Sequence, residues 1–266
     1  MGGLNADWHQ EVKEYFKEQG LSVVDRYEGG LHLLYFCNDS LLINLLDLNV
    51  AHEWALLIAI QDRFSAEGMQ LIHLWQDLWL TRKDQVIGRI NSILGLNKRI
   101  HARKTKIISI AQDVADRFLT DHHLQISASA RYKYALVTDK KIVALACFSN
   151  LRKMPEKGEN YRSAELIRFA NISGYTVTGG FTKLLQHFIK LKQPNDVMSY
   201  ADRDWSLGAA YLKSGFELVD VTSPLEILLD KESLIRYFPH RVEGEGTEDK
   251  YFHIFNTGNF KYILYL

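Results

Sequence analysis

Residues 175–182 read Tyr-Thr-Val-Thr-Gly-Gly-Phe-Thr and run directly into Lys183-Leu184-Leu185, the start of an apolar-periodic stretch. A glycine-containing loop that opens a helix collects unbonded backbone N–H groups and the positive end of the helix dipole at one point. That suits a pyrophosphate; plain turn geometry is the competing account. Thr178, Gly179, Gly180, Phe181 and Thr182 are the anion-binding candidates on the first account. Upstream, Glu165 and Arg168 sit on a strand-like run, 164–170, where Glu165 can act as a base through water or pair with Arg168. Downstream, Tyr200, Asp202 and Arg203 stand at the C-terminal end of the next strand-like run, with an internal Asp202–Arg203 salt bridge as the alternative use of that pair. Strand ends beside a change in strand order are where open α/β sheets take ligands. Tyr211, within Ala210-Tyr211-Leu212-Lys213-Ser214-Gly215-Phe216, is either a proton donor or a ring packed between helix and sheet.

A second chemistry is phosphate contact by cations. Residues 81–106 hold eight basic side chains, Arg82, Lys83, Arg89, Lys98, Arg99, Arg103, Lys104 and Lys106, against one acid, Asp84, in a chain whose formal net charge is zero. Such a run either binds nucleic acid, through Arg99, Arg103 and Lys104 above all, or forms a solvated helix face and linker. Metal chemistry has little to stand on. The two cysteines, Cys37 and Cys147, are far apart and flanked by apolar residues, so they read as buried thiols in a reducing cytosol. His52 and His73 read as packed or surface histidines.

The elements that must position these residues follow from periodicity and punctuation. A chain of 266 residues, 47% hydrophobic and 24% charged, has room for one large or two small globular domains. Helices are expected over 7–19, 53–66, 82–94, 113–119, 181–191 and 207–214, and strands over 21–27, 31–36, 41–46, 70–75, 106–110, 132–138, 141–149, 164–170, 196–200, 216–221 and near 260–265. Asn38-Asp39-Ser40 punctuates a hairpin. Residues 96–104 are basic and lack a period, and residues 174–180 read as loop. The expected domains are therefore 1–97 and 104–266. The start, Met1-Gly2-Gly3-Leu4-Asn5-Ala6, reads as neither a signal peptide nor a myristoylation signal, and no apolar run approaches the length of a membrane span, which points to a cytoplasmic protein without membrane contact.

The ordered pair of Thr178-Gly179-Gly180 and Tyr211-to-Phe216 resembles two segments of GNAT acetyltransferases, the CoA loop and a Y-x-K-x-G-F segment near the end of the domain. The resemblance implies a GNAT-like acyl-CoA N-acyltransferase fold for 104–266, acetyl-CoA as co-substrate, and an amine as acyl acceptor. It gives Tyr211 the role of acid to the departing CoA thiolate and places Glu165, Tyr200 and Asp202 in the catalytic cleft. The loop departs from the family pattern of Gln or Arg, two residues, Gly, one residue, then Gly or Ala: this chain has Thr176, Gly179 and Phe181, a ring where a small residue usually stands.

The runs Glu165-Leu166-Ile167-Arg168-Phe169-Ala170, Val177-Thr178-Gly179-Gly180, residues 199–206 and Asn256-Thr257-Gly258-Asn259-Phe260-Lys261-Tyr262 also resemble the C-terminal region of phage and bacterial proteins that carry a very-short-patch-repair-like endonuclease domain of homing type. Residues 68–79 are similar to the last core strand of that nuclease and its sequel. The resemblance implies a degenerate, restriction-endonuclease-like N-terminal domain in an α/β (α+β) chain. Where the family's acidic ligands fall, this chain has Leu33-Leu34-Tyr35-Phe36 and Leu42-Ile43-Asn44-Leu45, with Asp39, Asp47 and Glu53 off the expected positions, so no metal site is expected. The sequence thus carries two functional expectations: acetyl transfer to an amine, or a catalytically inactive nucleic-acid-binding protein using 81–106.

Overall fold

The structure is a computed structural model that describes residues 7–36, 40–125, 127–242 and 248–266. Cys37 and the Asn38-Asp39 part of the expected turn lie outside the described residues, as does the segment Met1 to Ala6. Two compact units are present, and neither is contiguous in sequence: 1–82 with 201–207 and 221–259, and 83–200 with 208–220 and 260–266. The expected domain boundary at 97–104 falls inside the second unit, while 201–207 and 221–259, expected with the second domain, belong to the first.

The first unit begins with helix α1 (Trp8–Glu18), capped by the Asp7 carboxylate, which accepts from Gln10 N at 3.1 Å. It buries Trp8, Val12 and Phe16, one residue per turn, as its period requires. Strands β1 (Val23–Glu28), β2 (Leu31–Phe36) and β3 (Leu41–Leu46) form an antiparallel meander; helix α2 (Trp54–Ala66) then returns the chain to β4 (Gln70–Trp75), which pairs parallel to β3. All six residues of β3 are buried, which is why five of the six are apolar, with Asn44 the exception. His73, on β4 opposite Asn44, is fully buried: Nε2 donates to Leu57 O at 3.1 Å and Nδ1 accepts from Asn44 Nδ2 at 3.2 Å, the neutral tautomer. Burial holds its pKa down at about 4.

Helix α3 (Gln76–Ile93) starts six residues earlier than the expected 82–94 and breaks at Arg82 (φ −136°, ψ 30°), where the two units divide. The second unit continues with β5 (Lys98–His101), β6 (Lys106–Ser109), α4 (Gln112–His122), β7 (Tyr132–Thr138), β8 (Lys141–Phe148), the short β9 (Arg152–Lys153), β10 (Arg162–Asn171), β11 (Tyr175–Thr178), α5 (Gly180–Lys192), β12 (Asp196–Asp202), α6 (Ala209–Lys213) and β13 (Glu217–Val221). The chain then contributes β14 (Leu225–Asp230), β15 (Arg236–Tyr237) and β16 (Tyr251–Asn256) to the first unit and closes with β17 (Asn259–Tyr265) in the second. Two readings are corrected. Residues 96–104, expected to be without an element, carry β5 and a 3-10 turn, and the expected loop 174–180 contains β11. These two strands pair in parallel with each other, Lys98 with Tyr175 through His101 with Thr178. Each is four residues long and stabilised by a partner distant in sequence, so neither shows a period of its own.

The principal sheet of the second unit has the order β6-β7-β8-β10-β12-β17-β13, with β9 on the margin of β10. The last strand is therefore inserted between β12 and β13. Strands β10 and β12 are parallel, paired only from Ser163–Asp196 to Leu166–Ser199. Beyond Leu166 the register of β10 on β8 shifts by a bulge, and β10 follows β8 to Asn171. The sheet thus forks between β10 and β12. In the first unit, β14 and β16 pack Ile227, Leu229 and Ile254 against Leu33, Leu42, Leu57, Phe64 and Trp75 in one core. Each fully buried aliphatic side chain there contributes roughly 1.5–3 kcal/mol.

Candidate functional site

Three residues are hydrogen-bonded at the fork: Leu166, Ser199 and Tyr211. Ser199, on β12, is buried, and its Oγ lies 2.8 Å from Leu166 O and 3.1 Å from the Tyr211 hydroxyl. A serine has one hydroxyl proton, and a carbonyl only accepts. With that proton on Leu166 O, Tyr211 must donate to Ser199 Oγ; with it turned to Tyr211, the phenol proton is released for another acceptor. Paired residues on adjacent strands share a sheet face, so Leu166 and Ser199 face one side, with Tyr211, while Glu165, Met198 and Tyr200 face the other. The burial pattern agrees: Val197, Ser199 and Ala201 are buried, and Tyr200 is exposed. Glu165 is half-buried, and its backbone N–H donates to Ser149 Oγ at 2.9 Å. Arg168 donates to Ile167 O at 2.8 Å, and its pKa is lowered by burial, with Glu165 acting in the opposite sense.

Tyr211 is packed as well as poised. Its ring stacks on Tyr262 at 5.0 Å and 8° and meets Phe181 and Phe216 edge-on, each at 5.4 Å. Burial raises its pKa above the ordinary phenol value, while Ser199 and then the Arg89 and Arg168 charges work downward. The close approach of Tyr262 explains Gly208, which begins α6 with φ 72°: a Cβ there would overlap the Tyr262 ring and hydroxyl. Phe181, the ring that departs from the loop pattern, turns into this aromatic cluster, edge-on to Phe169 at 5.2 Å as well as to Tyr211. The ring therefore packs beneath the helix start instead of standing over the loop.

The loop has the two glycines in distinct roles. Gly179 carries the left-handed conformation (φ 77°) and is the N-cap of α5, with no side-chain cap. Gly180 is the first helical residue; a Cβ there would come within 2.9 Å of Val177 Cγ1 and 3.2 Å of Leu136 Cδ1, so its smallness lets α5 sit down on the sheet. The left-handed turn is thus provided by Gly179, not Gly180. The N–H groups of Gly180, Phe181 and Thr182 have no carbonyl four residues back within the helix. Thr178 and Thr182 are exposed beside them, and Thr182 Oγ1 lies 3.0 Å from Ser214 Oγ.

The basic run and the glycine loop, read separately in the sequence, come together. The β5–β11 pairing sets His101 opposite Thr178, and Ala102 lies within van der Waals reach of a Cβ on Gly179 (3.8 Å). Lys183, on the first turn of α5, donates to Ala102 O at 2.8 Å and Thr105 O at 2.6 Å. Arg103 and Lys104, in the 3-10 turn so held, are exposed, as is Arg99 on β5. Asp202 lies elsewhere. Its residue is grouped with the first unit, where its carboxylate accepts from Asp204 N at 3.0 Å in the turn that follows β12. Arg203 pairs with Asp62. Ser199 and Lys183 were not singled out in the sequence; the first was hidden because a buried Ser in a strand carries no pattern, the second because its partners are backbone carbonyls.

Among the described residues no set of three or more His, Cys, Asp or Glu side chains is arranged to hold a metal ion, and no helix is long and apolar enough to cross a membrane. The sequence matches no protein-family model and no curated protein. Similar solved structures include an IAA acetyltransferase from Bacillus cereus, with 16% identity over 61% of this chain and 99% of that one at a TM-score of 0.39. Another is a GNAT family acetyltransferase from Elizabethkingia anophelis with acetyl-CoA bound, at 14% identity, the same coverages and a TM-score of 0.36. A third is the ribosomal-protein-S18-alanine N-acetyltransferase from Escherichia coli, at 15% identity over 60% of this chain and 93% of that one, with a TM-score of 0.38.

Proposed function

We propose that the second unit is a GNAT-like acetyltransferase that transfers the acetyl group of acetyl-CoA to an amine. One observation carries the reading: the parallel strands β10 and β12 part after Leu166–Ser199, with a half-buried phenol, Tyr211, hydrogen-bonded at the fork and the uncapped N-terminus of α5 following β11. The residues fit the co-substrate. Backbone N–H groups of Gly180, Phe181 and Thr182, with the Thr178 and Thr182 hydroxyls, suit its pyrophosphate, and Arg103 and Lys104 add positive charge next to that loop. Acetyl-CoA supplies an activated thioester carbonyl. Glu165 takes the proton of the attacking amine through water as the N–C bond forms; Tyr211 gives its proton to the thiolate as the C–S bond breaks, and Ser199 then donates to the phenolate. Tyr200 shares the Glu165 side of the sheet and is exposed.

The first unit supports a second element of the proposal. Its α1-β1-β2-β3-α2-β4 order, with an antiparallel meander and a parallel fourth strand, accords with the endonuclease-like ancestry suggested by residues 68–79. The alternative, nucleic-acid binding through Arg99, Arg103 and Lys104, is less favoured because those side chains stand beside the α5 N-terminus. Calorimetric titration with acetyl-CoA decides the main reading: micromolar binding and thiol release in the presence of an amine panel are expected. No heat and no thermal shift at millimolar acetyl-CoA would overturn it.

A further inference from the structure

We propose, resting on the acetyl-CoA reading of the second unit, that the outer face of the β5–β11 ribbon reads the 3′-phosphate of the nucleotide, with Arg99 and His101 as the residues that tell CoA from its 3′-dephospho form. The two strands are parallel and in register from Lys98–Tyr175 to His101–Thr178. Paired side chains point to one side of such a ribbon, and successive ones alternate. Arg99 with Thr176 and His101 with Thr178 therefore share one face, and Ile100 with Val177 lie on the other. The two faces differ in burial. Val177 is buried and Ile100 half-buried, whereas Arg99, His101 and Thr178 are exposed and Thr176 is half-buried. The outer face thus presents a guanidinium, an imidazole and two hydroxyls. No acidic residue occurs in the sequence between Asp84 and Asp113 to neutralise them. Groups that can all donate, on a face without a carboxylate of its own strands, suit an oxyanion.

Parallel pairing also sets where this face ends. Both strands deliver the chain to the same end of the ribbon: Thr178 leads into Gly179 and α5, and His101 into the 3-10 turn Ala102–Lys104. That turn is fixed to the helix start. Ala102 comes within 3.8 Å of a Cβ on Gly179, and Lys183 donates to Ala102 O at 2.8 Å, Thr105 O at 2.6 Å and Thr105 Oγ1 at 3.3 Å. The His101–Thr178 row therefore borders the α5 N–H groups, and the Arg99–Thr176 row lies one strand repeat, about 6.6 Å, behind it. A diphosphate at the helix start is served by backbone N–H groups. A phosphate monoester one ribose away has side chains of the ribbon for its seat. The monoester carries close to two negative charges at pH 7, and a guanidinium binds it through two parallel hydrogen bonds, which an ammonium cannot do.

The test is calorimetric titration of the full chain with acetyl-CoA and with acetyl-3′-dephospho-CoA. The dephospho form is expected to bind roughly tenfold or more weakly, the loss of one charge-assisted contact. Adenosine 3′,5′-bisphosphate is expected to compete with acetyl-CoA, and adenosine 5′-monophosphate to compete at least about tenfold less well. These comparisons use the unaltered chain, so they stand whether or not a variant folds. In a chain carrying Arg99→Ala with His101→Ala, acetyl-CoA is expected to fall to the affinity of the dephospho form, whose own affinity stays within about twofold, as a pairwise coupling requires. Equal binding of the two ligands by the unaltered chain would overturn this assignment and leave the acetyl-transfer reading in place. Discrimination that persists in the folded double variant would overturn it too, by giving the phosphate to other residues. Binding of neither ligand would overturn both.

Discussion

The Tyr211 hydroxyl is 3.1 Å from Ser199 Oγ, and that same oxygen is 2.8 Å from the carbonyl of Leu166, so one serine proton is contested by two acceptors. The contest links strand pairing at the fork to the protonation state of the phenol. Tyr211→Phe is expected to leave acetyl-CoA affinity within about threefold and to lower turnover by roughly 10²-fold, the low end for general acid catalysis. Ser199→Ala keeps the phenol but removes its hydrogen bond, together with the one to Leu166 O. Ser199 lowers the Tyr211 pKa, so its loss moves the alkaline limb of the pH–rate profile upward, because activity that needs the protonated phenol persists to higher pH. A pH–rate series on both variants checks this; an unmoved limb in Ser199→Ala would show that Tyr211 is not the acid.

The two loop glycines are expected to fail differently. Gly179 sits at φ 77° with 3.8 Å of clearance to Ala102, so Gly179→Ala costs backbone strain, about 1 kcal/mol or more, and Gly179→Asn costs less because Asn tolerates that conformation. Gly180→Ala has ordinary backbone but overpacks Val177 and Leu136, roughly 1–3 kcal/mol. Thermal melts of the three variants order them. If Gly179→Asn is as damaging as Gly179→Ala, the conformation is not what the position requires.

What the sequence disclosed depended on whether a partner lay nearby along the chain. Helices α1 and α5 and strands β2, β3, β4, β7 and β8 carry their own period or a mostly apolar run, and their expected ranges match the observed ones to within one residue at each end. Strands β5 and β11 are four residues each and exist through one another across more than seventy residues, so their residues read as a basic linker and a loop. The Tyr211 segment was visible because Gly215 and Phe216 punctuate it. Its hydrogen-bond partner Ser199 and its stacking partner Tyr262 were not, since a buried Ser and an alternating Tyr look like ordinary strand residues.

The pairing of β5 with β11 makes a prediction about the basic run. Arg103→Ala with Lys104→Ala is expected to weaken acetyl-CoA binding several-fold at low ionic strength, and the difference from the unaltered chain is expected to shrink with added salt as exposed charges are screened. The 3-10 turn carrying both residues is held by Lys183, so Lys183→Met is expected to weaken binding too, but with a drop in Tm that the surface variants do not share. Titration of acetyl-CoA at 50 and 300 mM salt checks this. Unchanged affinity together with lost, salt-dependent DNA binding would move the run to the nucleic-acid reading.

Two buried groups of the first unit set opposing slopes of stability against pH. His73 has its pKa lowered from 6.5 to about 4 by burial, so the unfolded chain takes up its proton first as pH falls; stability rises between pH 4 and 6.5 and is indifferent to His73 above that. Asp204 is the reverse case. Burial, then the charge of Asp202, push its pKa from 3.8 up to about 8, against hydrogen bonds from Thr257 Oγ1 at 2.5 Å and Thr257 N at 3.1 Å. Between those values the unfolded chain is ionised and the folded one is protonated, so stability conferred at low pH is lost as pH rises through 8. Above pH 6.5 the Asp204 slope acts without opposition from His73. Asp204→Asn keeps an oxygen for Thr257 and removes the ionisation, so its Tm is expected to fall less than that of the unaltered chain between pH 6.5 and 8.5. Calorimetric scans at half-unit steps measure the difference. Parallel curves would mean that Asp204 is ionised in the folded chain at neutral pH and that Arg236, whose charge also acts on it, is its effective counter-ion.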